Sequence, residues 1–164
     1  MRYRISFRFL CWICAPLLIL APVSADAAPQ ARITKLVDAA FGTISNFSTD
    51  LTNSQSICVY STGTSGQYRV TATGDGSGGA FTLASGSYTL AYEVQWSASS
   101  GQTSGQSLTA GVELTGLTST ATSSNCSSGP VTTASLITIL RTTGVSAATA
   151  GAYSGTLTLV VAPN

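Results

Sequence analysis

Few side chains in this 164-residue chain can do chemistry: four cysteines, two glutamates and no histidine. Cys11-Trp12-Ile13-Cys14 has the C-x-x-C spacing of a redox motif. Its surroundings point elsewhere. Arg2, Arg4 and Arg8 precede an apolar run over residues 9–23, too short for an ordinary membrane span. Val23-Ser24-Ala25 then supplies a small-residue cleavage pattern. Residues 1–25 therefore read as a secretory signal peptide. The mature chain is expected to start at Asp26, with Ala28 as a second acceptable start, and no membrane span is expected after cleavage.

Cleavage leaves Cys58 and Cys126. An exported chain with two cysteines is expected to join them, because the compartment outside the cytoplasm is oxidising. Such a bridge would close a loop of roughly 70 residues, worth about 4 kcal/mol on chain-entropy grounds.

The missing histidine removes the commonest general base and a major zinc ligand. No Ser-His-Asp or Cys-His mechanism can be assembled from this chain. A pair of carboxylates is the remaining route, as in glycoside hydrolysis. Glu93 and Glu113 are the only glutamates, and both lie in alternating stretches where a solvated, outward side chain is expected. The chain is expected to be no enzyme, with no cofactor and no metal site. The mature charges are Arg32, Lys35, Arg69 and Arg141 against Asp26, Asp38, Asp50, Asp75, Glu93 and Glu113, a net charge near −2. Without a basic cluster, nucleic acid is not an expected partner.

The elements that must position these residues read as strands. Residues 68–73 (Y-R-V-T-A-T) alternate, and D-G-S-G-G over 75–79 is turn chemistry. Residues 80–84 form a short apolar stretch before a second turn at 85–87. Residues 88–96 read as one long strand, with Tyr88, Leu90, Tyr92, Val94 and Trp96 on one face. Tyr88, Tyr92 and Trp96 are thus a candidate aromatic surface for sugars, or else core. Residues 97–107 read as a mobile Ser/Gly/Gln-rich loop. A strand over 111–117 would turn Val112, Leu114 and Leu117 inward, and 119–130 reads as a loop carrying Cys126. A strand over 134–141, a short helical turn over 145–150 and a last strand within 152–161 complete the chain. Short strands at this spacing imply an all-β sandwich.

Several stretches then carry a resemblance. They are Phe41-Gly42-Thr43-Ile44, Ile57-Cys58-Val59-Tyr60, Gly66-Gln67-Tyr68-Arg69-Val70-Thr71 and Leu90-Ala91-Tyr92-Glu93-Val94-Gln95-Trp96. The last is the terminal G-x-Y-x-G-T-L-T-L over 151–159. Together they resemble the spore coat protein U domain family, which includes subunits of archaic, Csu-type chaperone–usher pili. The resemblance spans nearly the whole mature chain. It implies an immunoglobulin-like, pilin-type β-sandwich that is incomplete and is completed by a donor strand from another chain.

The implied function is that of a structural pilus subunit, passing through the periplasm to the cell surface and serving adhesion and biofilm formation. The implied partners are a periplasmic chaperone, an outer-membrane usher and neighbouring pilus subunits. The domain plan is a signal peptide over 1–25, an N-terminal extension over 26–40 and a pilin-like sandwich over 41–164. The candidate donor strand carries Ile33, Val37, Ala39 and Phe41 on one parity, with Lys35 interrupting it; the other reading makes this segment the domain's own first strand. The segment is short and lacks the family's usual extra cysteine near the mature N-terminus. A minor or adaptor subunit, a secreted surface or spore-coat/matrix protein that does not polymerise, and a lectin-like binding module remain as alternatives.

Overall fold

A computed structural model describes residues 27–164; the expected signal peptide, with Cys11 and Cys14, lies outside the described residues. Ten strands and one short helix follow in order: β1 (Ala31–Thr34), β2 (Leu51–Ser61), β3 (Gln67–Gly74), β4 (Thr82–Ser85), β5 (Tyr88–Ala91), β6 (Glu93–Ser97), β7 (Gln106–Ser107), β8 (Leu114–Thr118), β9 (Ala134–Leu140), α1 (Thr142–Ala147) and β10 (Leu157–Pro163). They form a five-stranded sheet ordered β1-β2-β9-β6-β7, a three-stranded sheet ordered β10-β3-β8, and the β4–β5 hairpin. Every pairing is antiparallel. The chain is an all-β sandwich.

Alternation decides which sheet faces form the core. Tyr68, Val70 and Ala72 of β3 are fully buried, and Leu157, Leu159 and Val161 of β10 pack beside them. The opposite sheet contributes Ile57 and Val59 from β2, Val94 and Trp96 from β6, and Ala134, Leu136 and Leu140 from β9. Trp96 spans the layers: its indole Nε1–H donates to the Tyr68 hydroxyl at 3.1 Å, with ring centroids 6.4 Å apart.

β9 is buried at every residue, which a strand in a one-faced sheet would not be. Residues 97–107 explain it. They lie over the outer face of the five-stranded sheet and are pinned there. The Gly101 N–H donates to Ser56 Oγ at 2.9 Å, and the Gln102 N–H to Ser135 Oγ at 3.0 Å. Ser135 Oγ donates on to the Ser99 carbonyl at 2.9 Å. The expected mobile loop is a cover, because outward serines of β2 and β9 satisfy its backbone.

Three further expectations are corrected. The long strand over 88–96 breaks at Tyr92, whose N–H donates to the Phe81 carbonyl at 3.0 Å. β5 stays with β4, while β6 crosses to β9. Val112 does not point inward; it is 55% exposed in a turn before β8. Leu114 and Leu117 both reach the core although three residues apart, because β8 bulges: Tyr68 pairs with Leu117 and Val70 with Leu114. Gly116, at φ 75°, supplies the left-handed residue the extra step needs. Finally, the helical turn begins earlier than expected, at Thr142, where Asp50 Oδ1 accepts the Thr142 N–H at 2.8 Å.

Cys58 and Cys126 are joined, with Cα atoms 6.0 Å apart. The bridge ties the 119–133 loop to β2, and Thr133 adds to it by accepting from the Val59 N–H and donating to the Val59 carbonyl, both at 2.9 Å.

Candidate functional site

The sandwich is open along one side. β10 is hydrogen-bonded to β3 alone, so its other backbone edge is free for pairing. β1 lies beside β10 at one end of this opening. After Thr34 the chain turns away, because Lys35 adopts φ 67° and its ammonium donates to the Val131 carbonyl at 2.7 Å. Between the departing chain and β10 lies a groove of about 1180 Å³. Its floor reaches core residues, among them Leu90, Tyr92, Leu136, Leu140 and Val145. Its far bank is the 148–156 connection with Leu157 and Leu159 of β10.

The near bank is a strap over residues 36–47. It runs alongside β2 but forms no strand with it. Two inward side chains of β2 hold it instead. Gln55 Oε1 accepts the Val37 N–H at 2.9 Å, and Gln55 Nε2 donates to the Val37 carbonyl at 3.1 Å. Asn53 Nδ2 donates to the Ala40 carbonyl at 3.2 Å. Asn53 and Gln55 share the parity of Ile57 and Val59, so two carboxamides stand where an unbroken apolar stripe would be simplest. Sequence reasoning passed over both. The available signal was this break in the alternation of β2, since local rule-breaking concentrates at functional sites.

The candidate donor residues separate. Ile33 sits in β1, paired with Val59 of its own domain. Val37 is 69% exposed, Ala39 is exposed, and Phe41 packs against the core from the strap. The intervening Lys35 breaks their common parity. The candidate aromatic surface does not form: Trp96 and Tyr92 are buried and only Tyr88 is exposed, at 55%. The break at Tyr92 and the contact between Trp96 and Tyr68 draw Tyr92 and Trp96 inward. The two glutamates are held apart on different arginines, Glu113 on Arg69 and Glu93 on Arg141.

The Arg141 cluster sits where β9 leads into α1. Its Nε donates to Glu93 Oε1 at 2.8 Å, and an Nη to Asp50 Oδ2 at 2.7 Å. The Thr142 N–H, and then Arg141, hold the Asp50 carboxyl below its ordinary 3.8. Arg141 holds Glu93 below its ordinary 4.5. Both folded pKa values are depressed, so the unfolded chain binds more protons as the pH falls. The stabilisation is present at neutral pH and is lost as the pH drops below about 4.5 and through the folded values. All three groups are solvent-facing, so the effect is modest and screened by salt. In urea titrations, Arg141→Gln should be less stable than wild type at pH 7, and the difference should shrink as the pH falls through the acid range in which the two carboxylates take up protons. A difference unchanged with pH would mean that the cluster contributes only packing.

Among the described residues, no group of three or more His, Cys, Asp or Glu is placed to hold a metal ion, and no helix is long and apolar enough to cross a membrane. The fold resembles one chain of a solved chaperone–tip adhesin complex described as vital for synergistic activation of CFA/I fimbriae biogenesis. The TM-score is 0.53, with 20% sequence identity over 83% of this chain and 41% of that chain, so this chain spans less than half of that chain's length. No protein-family model and no curated protein matches this chain.

Proposed function

We propose that this chain is a structural subunit of a bacterial surface pilus, assembled through the chaperone–usher route by donor-strand exchange, and serving adhesion and biofilm formation. The observation that carries the reading is the groove. A free β10 edge stands beside an opening that reaches the core, which suits completion by an extended strand from another chain. Backbone bonds to β10 would supply affinity, and alternate apolar side chains would fill the space above Leu136 and Leu140. Head-to-tail addition of this kind does not close, so it yields a filament. The fold resemblance to a chain of a chaperone–adhesin complex supports the same reading. Its partners are then a periplasmic chaperone, an outer-membrane usher and neighbouring subunits. The buried Cys58–Cys126 bridge suits export into an oxidising compartment.

The extension over 26–40 is the proposed donor, ahead of the sandwich over 41–164. That role requires residues 31–34 to leave β2 and pair with a neighbour. Their pairing within the domain favours a second reading, a secreted surface or matrix protein that does not polymerise.

Gel electrophoresis of the mature protein, expressed with and without a cognate chaperone and usher, separates the two. Pilus assembly predicts a ladder that survives cold SDS, collapses on boiling and disappears when residues 28–40 are deleted. A soluble monomer that never ladders, with or without chaperone and usher, would establish the second reading.

A further inference from the structure

The strap over 36–47 is more than a passive bank of the groove. Phe41 and Ile44 pack against the core, and Phe47 lines the groove while remaining half exposed. The strap therefore places its own apolar side chains in the opening. Its attachment differs from that of every named strand. Gln55 makes the two hydrogen bonds to Val37 that a neighbouring strand's backbone would make, and Asn53 adds one to Ala40. Side-chain bonds of this kind can be released without disturbing a ladder. The β2–β9 pairing runs from Leu51 to Ile57 on the other side of the strand and does not depend on them.

We propose that the strap is a gate on the groove, latched by Gln55 and Asn53, and that its release sets how fast an incoming strand enters. The proposal rests on the reading of the groove as a strand acceptor. While latched, Phe41 and Ile44 shield part of the apolar floor and so limit its exposure before a partner arrives. An incoming strand that fills the groove supplies apolar contacts in their place. The strap then swings outward at the cost of three exposed hydrogen bonds, which also frees its residues 36–40, the distal part of the proposed donor. Exposed hydrogen bonds of this size are worth little individually, as a gate that opens without unfolding the domain requires.

Two measurements on the disulfide-bonded mature protein test this, with Gln55→Leu as the variant. The first is amide hydrogen exchange of the free protein. The Val37 amide, the N–H that Gln55 holds, should be protected in wild type and should exchange roughly tenfold faster in Gln55→Leu, the size expected for losing about two modest hydrogen bonds. Protection in β9 should not change, which shows that the variant is folded. Equal exchange of the Val37 amide in both proteins overturns the latch, whether or not the groove accepts strands.

The second is uptake of a fluorescein-labelled peptide spanning residues 28–41 of this chain, followed by anisotropy. Uptake roughly tenfold faster in Gln55→Leu supports the gate. Gln55→Glu, which keeps the acceptor for the Val37 N–H and loses the donor, should fall between. Equal uptake rates overturn the gate and leave the acceptor reading standing. No uptake by either protein, with the strap loosened in the variant, overturns the acceptor reading and the gate with it.

Discussion

Removing the disulfide should cost about 4 kcal/mol of folding stability, the loop-closure entropy of a long cross-linked segment. The two cysteines are 68 residues apart, so the bridge constrains the unfolded chain strongly. A domain of this size has a total stability of about 5–15 kcal/mol, so the loss would leave the protein marginal at body temperature. The variant to use is Cys58→Ala with Cys126→Ala, which avoids a free thiol. Both cysteines are buried, so the alanines also leave a small void. Guanidinium titration should show a lower midpoint and a steeper slope, because an unfolded chain without the bridge exposes more surface. A loss under about 1 kcal/mol would mean that Thr133, through its two bonds to Val59, already holds the 119–133 loop in place and that the unfolded chain is compact without the bridge.

Trp96→Ala should be similarly damaging, at about 3–5 kcal/mol. Trp96 is fully buried between the sheets, and its indole N–H is the partner of the Tyr68 hydroxyl. Truncation opens a cavity and leaves that hydroxyl buried without a donor, two penalties that add. The same burial pushes the Tyr68 phenol up. Trp96→Phe retains most of the volume and loses the N–H, so it should cost about 1–3 kcal/mol. If Tyr68→Phe is added to Trp96→Phe, part of that loss should return, because no orphaned hydroxyl remains. Urea titrations of Trp96→Phe, Tyr68→Phe and the double variant close the cycle that gives the coupling. A Trp96→Ala protein of wild-type stability that had lost binding to a glycan surface would instead revive the lectin-like reading.

Much of the framework was legible in the residues. β3 and β10 alternate cleanly because one face of each meets the core and the other meets solvent. β9 read as a strand from its apolar run A-S-L-I-T-I-L. The Cys58–Cys126 pair followed from counting cysteines once the expected signal peptide was set aside. The stretch over 88–96 misled because alternation persists through Tyr92 although the chain changes sheets there. Period alone records which side is buried and not which neighbour does the burying. The bulge at Gly116 hid in the same way, since one left-handed residue resets the parity of β8.

The groove was less legible than the framework. The resemblance implied an incomplete sandwich, but nothing in residues 36–47 marked them as a strap. The reason lies in the bonds that hold it. Val37 and Gln55 are 18 positions apart, and a carboxamide standing in for backbone leaves no periodic trace. Ser56, Ser135 and the 97–107 loop show the same effect, since polar residues spaced far apart in sequence satisfy one another only after the strands have paired.

By itself, the sequence determined the all-β class of fold, the Cys58–Cys126 pair and the inward face of β10. These depend on local alternation, composition and count, which do not change when the chain folds. Only the tertiary structure decided that Trp96 is core, that the serine-rich loop is a cover, that β10 keeps a free edge and that Gln55 holds the strap. Each depends on which distant segment comes to lie alongside, and pairing between strands is set by the whole sandwich rather than by any one stretch.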